Sequence, residues 1–149
     1  MKSYFIILFC LISVTVLSQK KVVKKFETKA REIEIATLGV DDLVIENSET
    51  DFIEIYLVAE DIAEQHILYK EIYNLVRIQF EIPEKISEEQ IFRKFITERL
   101  QRASAVIKVP KNKKITVFGD EINVESKSYK GDVEVFIEKG ILKLHTIYS

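Results

Sequence analysis

Short runs of apolar–polar alternation recur along this chain, and they restrict it to a fold built from short strands. The stretch REIEIATLGVDDLVIENSETDFIEIYLVAE, Arg31 to Glu60, shows this most clearly, in three blocks of ten. Ile33 and Ile35, Leu43 and Ile45, and Ile53 and Ile55 occupy the same places in each block. A period of two puts one face of each block in a core and the other in solvent. Glu32 and Glu34 face away from the first isoleucine pair; Val44 and Glu46 face away from the second. Leu38-Gly39 with Asp41-Asp42, and Asn47-Ser48 with Thr50-Asp51, supply turn chemistry between the blocks. Strands at this spacing predict a sandwich, a barrel or a short solenoid. The evenness is that of strand plus turn, not of a repeated binding unit.

The run Asn74 to Ile82, NLVRIQFEI, continues the pattern, with Val76, Ile78, Phe80 and Ile82 on one face. Pro83 ends it, because proline cannot donate to a ladder. Between Asp61 and Asn74 the reading is a strand around His66–Tyr69 and a turn near Lys70–Asn74; Asp61 with Glu64 also has capping-box spacing. One helix is expected, over residues 87–101. Ser87 and Gln90 fit a capping box, and Glu88 and Glu89 fall in the first turn. Ile91, Phe92, Phe95, Ile96 and Leu100 form an apolar stripe, with Arg99 and Arg102 near the end.

The last third returns to strands. ASAVIKVP ends at Pro110, and KITVFG, EINVES, DVEVFI and ILKLHTI follow. Turns are expected at Gly119-Asp120, Tyr129–Asp132 and Lys139-Gly140. The first apolar residues of these four runs are Ile115, Ile122, Val133 and Ile141, an uneven beat unlike the strict period of a long solenoid. The expected fold is therefore mainly β: a short β-solenoid or a two-sheet β-sandwich, with the helix dividing two arrays of short strands.

The run from Ala105 to Leu144 resembles the putative-adhesin β-repeat domains of exported bacterial proteins. The pieces that carry the resemblance are Val106 to Pro110, Ile115 to Val117, Ile122 to Val124, Val133 to Val135, and Gly140 to Leu144. Leu43 to Ile55 follows the same style. The resemblance implies an exported mainly-β module and supplies no functional residues to carry over. The chain departs from that pattern in its shortness, its few glycines and the charged insert Glu81 to Arg102.

Residues 1–18 read as a signal peptide. Lys2 gives the positive start, Phe5 to Leu17 the apolar run, and Val16 and Ser18 the cleavage site. The apolar run falls short of the roughly 20 residues a membrane-crossing helix needs. Ser18-Gln19 resembles the signal ends of gliding and gut bacteria of the Bacteroidetes group. Cys10 follows Phe9 inside the apolar run, which argues against lipid attachment. Cleavage would remove the only cysteine, so residues 19–149 would form a single domain held by its core alone. It would also remove one lysine, leaving 21 basic against 24 acidic residues. That balance gives no nucleic-acid footprint. Lys20, Lys21, Lys24 and Lys25 are expected to form a frayed, solvated start.

No catalytic, cofactor-binding or metal-ligating residues are assigned. His66 and His145 have no partner histidine at ligand spacing, and His145 is expected on the surface or rim. No serine sits in a G-x-S-x-G context. Four carboxylate pairs, Glu32/Glu34, Asp41/Asp42, Glu60/Asp61 and Asp120/Glu121, fit solvent faces and turns better than a catalytic pair. Calcium and phosphate loops are missing from the sequence. Phe92-Arg93-Lys94-Phe95 reads as helix core with solvated cations. The expected role is a non-catalytic binding or structural module of the bacterial envelope, exported to the periplasm or exterior. Its partner would be a protein or envelope polymer, with no nucleic acid, no cofactor and no membrane span after cleavage. The competing roles are an envelope-polymer hydrolase using paired carboxylates and a periplasmic accessory or chaperone.

Overall fold

A computed structural model describes residues 20–59, 62–82 and 103–145. The helix expected over 87–101 and the pair Glu60/Asp61 lie outside the described residues. Within them the fold is mainly β, with one 3-10 turn at Glu64–His66. The strands are β1 Lys20–Glu27, β2 Glu32–Ala36, β3 Asp42–Asn47, β4 Phe52–Ala59, β5 Ile67–Ile72, β6 Leu75–Phe80, β7 Ala103–Val109, β8 Lys114–Glu121, β9 Asn123–Lys127, β10 Asp132–Lys139 and β11 Leu142–His145.

They form two sheets, ordered β1-β4-β7-β3-β9-β11 and β10-β8-β2-β6-β5. The chain passes from the second sheet to the first between β2 and β3, β8 and β9, and β10 and β11. In each sheet the strands of these passes lie side by side and parallel. The centre and one end are thus a stack of coils, as in a solenoid. The other end closes with antiparallel pairs: β5 with β6, β4 with β7, and β1 with β4. Solenoid and sandwich are both present in one molecule. The two expected arrays are not separate layers, since β2 and β3 from the first lie beside β8 and β9 from the second.

Period-two patterning determines which side chains meet. Ile115, Ile33 and Val76 stand side by side in one sheet, as do Val117, Ile35 and Ile78. Val124, Leu43, Ala105 and Leu57 do the same in the other. Each is buried between the sheets. Parallel strands covered on their inner face need this continuous apolar ladder.

Two local expectations are corrected. The lysine-rich start is not frayed: Lys20–Glu27 pairs along its whole length with Phe52–Ala59. Its alternation is hidden because Lys24 occupies an inward position, next in the ladder after Ile55. The lysine stem fills the space between the sheets, while Nζ donates to the Ile67 carbonyl at 2.9 Å and lies over the Tyr69 ring. Phe26 stacks on the same ring, with centroids 3.8 Å apart. Together they bridge the two sheets at the β1/β5 end. Nor does the chain turn at Gly119-Asp120. Both residues continue β8, and the corner comes at buried Ile122, whose N–H donates to Lys139. Glycine stands at 119 because a Cβ there would run into Thr37 Oγ1 and Ile122. Close approach, not turn geometry, selects it.

The other turns fall near their expected places. Tyr73-Asn74 links β5 to β6, and Gly39, with φ +84, serves the corner after β2. The turn through Tyr129 is held from within. Its ring is buried, and its hydroxyl donates to the Pro110 carbonyl at 2.7 Å. The same oxygen accepts from the Lys113 N–H at 3.3 Å. Burial pushes the phenol up to about 12.

Candidate interaction surface

The outer faces of the two sheets differ. On the six-stranded sheet, register sets a charge ladder. Lys25 lies opposite Glu54, Glu54 opposite Lys108, and Lys108 opposite Glu46. Lys127 follows with its Nζ 3.6 Å from Glu46, and His145 lies opposite Lys127. Signs alternate from Lys25 to Lys127, so these charges satisfy one another. The Tyr56 hydroxyl donates to Glu54 at 2.7 Å, and Lys21 and Lys108 lie over the Tyr56 ring. That hydrogen bond holds the Glu54 carboxyl below its usual range, outweighing the burial cost, with help from Lys25 and Lys108. It also raises the Tyr56 phenol. The charges of this face are paired and screened, and beside them runs an outward row of Val23, Tyr56, Val106 and Val44, of which Val23 is exposed.

The outer face of the five-stranded sheet carries a different feature. Phe118 and Phe136 occupy matching positions on β8 and β10 and stack with centroids 5.4 Å apart. They are 43% and 55% exposed, which is high for rings this large. Ala36 lies beside Phe118 on β2, and Leu38, 77% exposed, extends the same apolar area past the strand end. An open cleft of about 510 Å³ runs along this corner. Leu38, Val40 and Phe118 line it, and Asp120, Glu121 and Glu138 give it an acidic rim. Thr37 fixes its floor: both its N–H and its hydroxyl donate to the Phe118 carbonyl, at 3.0 and 2.9 Å. Rigid aromatic faces beside a cleft with a few polar groups suit binding by contact.

The carboxylates weighed for chemistry are dispersed. Glu34 pairs with Arg77 at 2.8 Å on the outer sheet face, and Glu32 is exposed. Asp42 accepts from Asn123 at 3.0 Å, while Asp41 is buried at the corner before β3. Asp120 and Glu121 reach the cleft together, but both are exposed, and Glu121 lies 3.8 Å from Lys139. A catalytic acid requires burial to raise its pKa, and this rim offers open solvent. His66 accepts from the Ala63 N–H through Nδ1 at 2.8 Å. His145 is exposed, as expected, with Nε2 2.7 Å from Glu125. Among the described residues, no group of three or more His, Cys, Asp or Glu is placed to hold a metal ion.

Leu38, Phe118 and Phe136 were not singled out by the sequence reading, although the alternation marks two of them. In KITVFGDE, Phe118 falls on the opposite face from Ile115 and Val117. In DVEVFIEK, Phe136 falls opposite Val133, Val135 and Ile137. An outward aromatic on a half-buried strand is a signal legible without coordinates.

Fold and surface define, among the described residues, a two-sheet, solenoid-like β module with an exposed apolar area at the Leu38–Phe118–Phe136 corner. Among solved structures it matches a putative cell adhesion protein from Clostridium sporogenes, with a TM-score of 0.51 and 13% identity over 83% of this chain and 59% of that one. It also matches a putative adhesin from Bacteroides fragilis, with a TM-score of 0.41 and 14% identity over 87% and 57%. A third match is a putative lipid binding protein from Parabacteroides distasonis, with a TM-score of 0.34 and 9% identity over 86% and 61%. The chain thus spans about three-fifths of the length of these proteins. The first match shares its fold. No protein-family model and no curated protein matches the sequence. No helix of the described residues is long and apolar enough to cross a membrane.

Proposed function

We propose that this protein is an exported, non-catalytic binding module of the bacterial cell envelope. Its contact surface is the Leu38–Phe118–Phe136 face. The observation that carries the reading is that face itself: two stacked aromatic rings, heavily exposed and beside an acid-rimmed cleft. Contiguous apolar surface on a charged protein marks an interaction site. Export rests on Phe5 to Leu17 and the small residues at the expected cleavage point. The fold neighbour from C. sporogenes is a putative cell adhesion protein, which is consistent with a contact role, though shared fold does not transfer activity. The hydrolase reading loses ground because the Asp120/Glu121 pair lies on an open rim.

The test is co-sedimentation of the protein, purified from its native host and N-terminally sequenced, with two envelope preparations: peptidoglycan sacculi and outer-membrane vesicles. The mature chain should begin at Gln19 and pellet with one of them. A Leu38→Ser/Phe118→Ser variant should bind at least tenfold more weakly with an unchanged circular dichroism spectrum. Recovery with Met1 attached from the cytoplasm, or equal pelleting of the variant, would overturn the proposal.

A further inference from the structure

The two ends of the sheet stack are treated differently. At one end, Lys24, Phe26 and Tyr69 bridge β1 and β5, with the Tyr69 ring still 43% exposed, and β1 itself carries four lysines, which discourage further pairing. At the other, the described strands of both sheets end together at β10 and β11. Val133, Val135 and Ile137 are only partly buried there. Leu142 and Leu144, which continue the inner ladders of Val124 and Ser126, are 44% and 45% exposed. A slot of about 330 Å³ opens between the strands, with Val133 and Leu144 among its walls. This is an apolar core cross-section, not a finished surface.

The charges at this end are also sorted. β10 contributes Asp132, Glu134 and Glu138, against one lysine at its last position. β11 contributes Lys143 and His145 and no acid; with Glu134 already 3.2 Å from Lys114 and His145 2.7 Å from Glu125, the charges that the edges offer outward are chiefly Asp132 and Glu138 on β10 and Lys143 on β11. A two-fold axis along the strands, between the sheets, sets β10 of one copy antiparallel beside β11 of the other. Both sheets then continue across the junction, the half-covered aliphatics close into one core, and each acidic edge meets a basic one. A two-fold of the other kind, placing β10 against β10, would set acids against acids.

We propose that the β10–β11 end is the contact face of a two-fold dimer of this chain. The proposal goes beyond the binding reading; Phe136 and Glu138 stand on β10 itself, and the variants below leave Leu38, Phe118 and Phe136 unchanged. Its test is sedimentation equilibrium of the full mature chain. The wild type should be a dimer at micromolar concentration. Leu142→Asp/Leu144→Asp should be monomeric with an unchanged far-ultraviolet spectrum, since both side chains are already half exposed. Lys143→Glu, a change on an exposed position that leaves the core untouched, should weaken association at least tenfold, and adding Glu138→Lys should restore it. A monomeric wild type would overturn the proposal, as would dimers that survive the leucine changes or a Lys143→Glu chain that associates as before.

Discussion

Tyr129 shows how much a single side chain can determine. Its sequence context, KSYKGD, reads only as a turn, and the turn is there. What the pattern does not reveal is that the ring turns inward and clasps the Pro110 carbonyl 19 positions away. Replacing it with phenylalanine keeps the ring and leaves that carbonyl without its donor. The expected cost is about 1–2 kcal/mol, read by urea unfolding. The phenol titrates at about 12, above its usual 10.0, because burial disfavours the phenolate. A raised folded-state pKa contributes stability that is complete below pH 10 and lost as pH climbs toward 12. Wild type should therefore lose stability over that range more steeply than Tyr129→Phe. Parallel curves would show that the hydroxyl is not held as described.

At the scale of elements, alternation was a good guide wherever one face is apolar and the other polar. Ile33/Ile35, Leu43/Ile45, Ile53/Ile55 and the Val76–Phe80 run all point to the core as read. It failed at β1, where an inward lysine broke the pattern, and at Gly119, where a glycine chosen for close contact imitated a turn. Register was not legible at all. Nothing in Lys25, Glu54, Lys108 or Glu46 taken singly announces that they stand in one row, because strand order is set by which apolar faces stack. The candidate surface was hidden for the same reason, since Phe118 and Phe136 become neighbours only when β10 pairs with β8. The ladder has a pH signature. Glu54 titrates below its usual 4.5, chiefly through the Tyr56 hydroxyl. A depressed pKa contributes stability above that value and loses it as pH falls through the folded-state pKa. Acid unfolding below pH 4.5 should therefore be steeper for wild type than for Tyr56→Phe, as followed by circular dichroism, with the two curves converging at the acid end.

At the scale of the molecule, the described residues of the two sheets make a rigid support whose outer regions include a charge ladder beside a row of valines, an apolar corner and an open end. A rigid support suits recognition by a preformed surface, since little ordering cost falls on binding. Amide hydrogen exchange, with and without the envelope preparation that retains the protein, locates the contact most directly. Binding through the apolar corner predicts added protection in β8 and in residues 36–40, with β1, β4 and β7 unchanged. Protection confined to the ladder strands, or none at the corner, would contradict it.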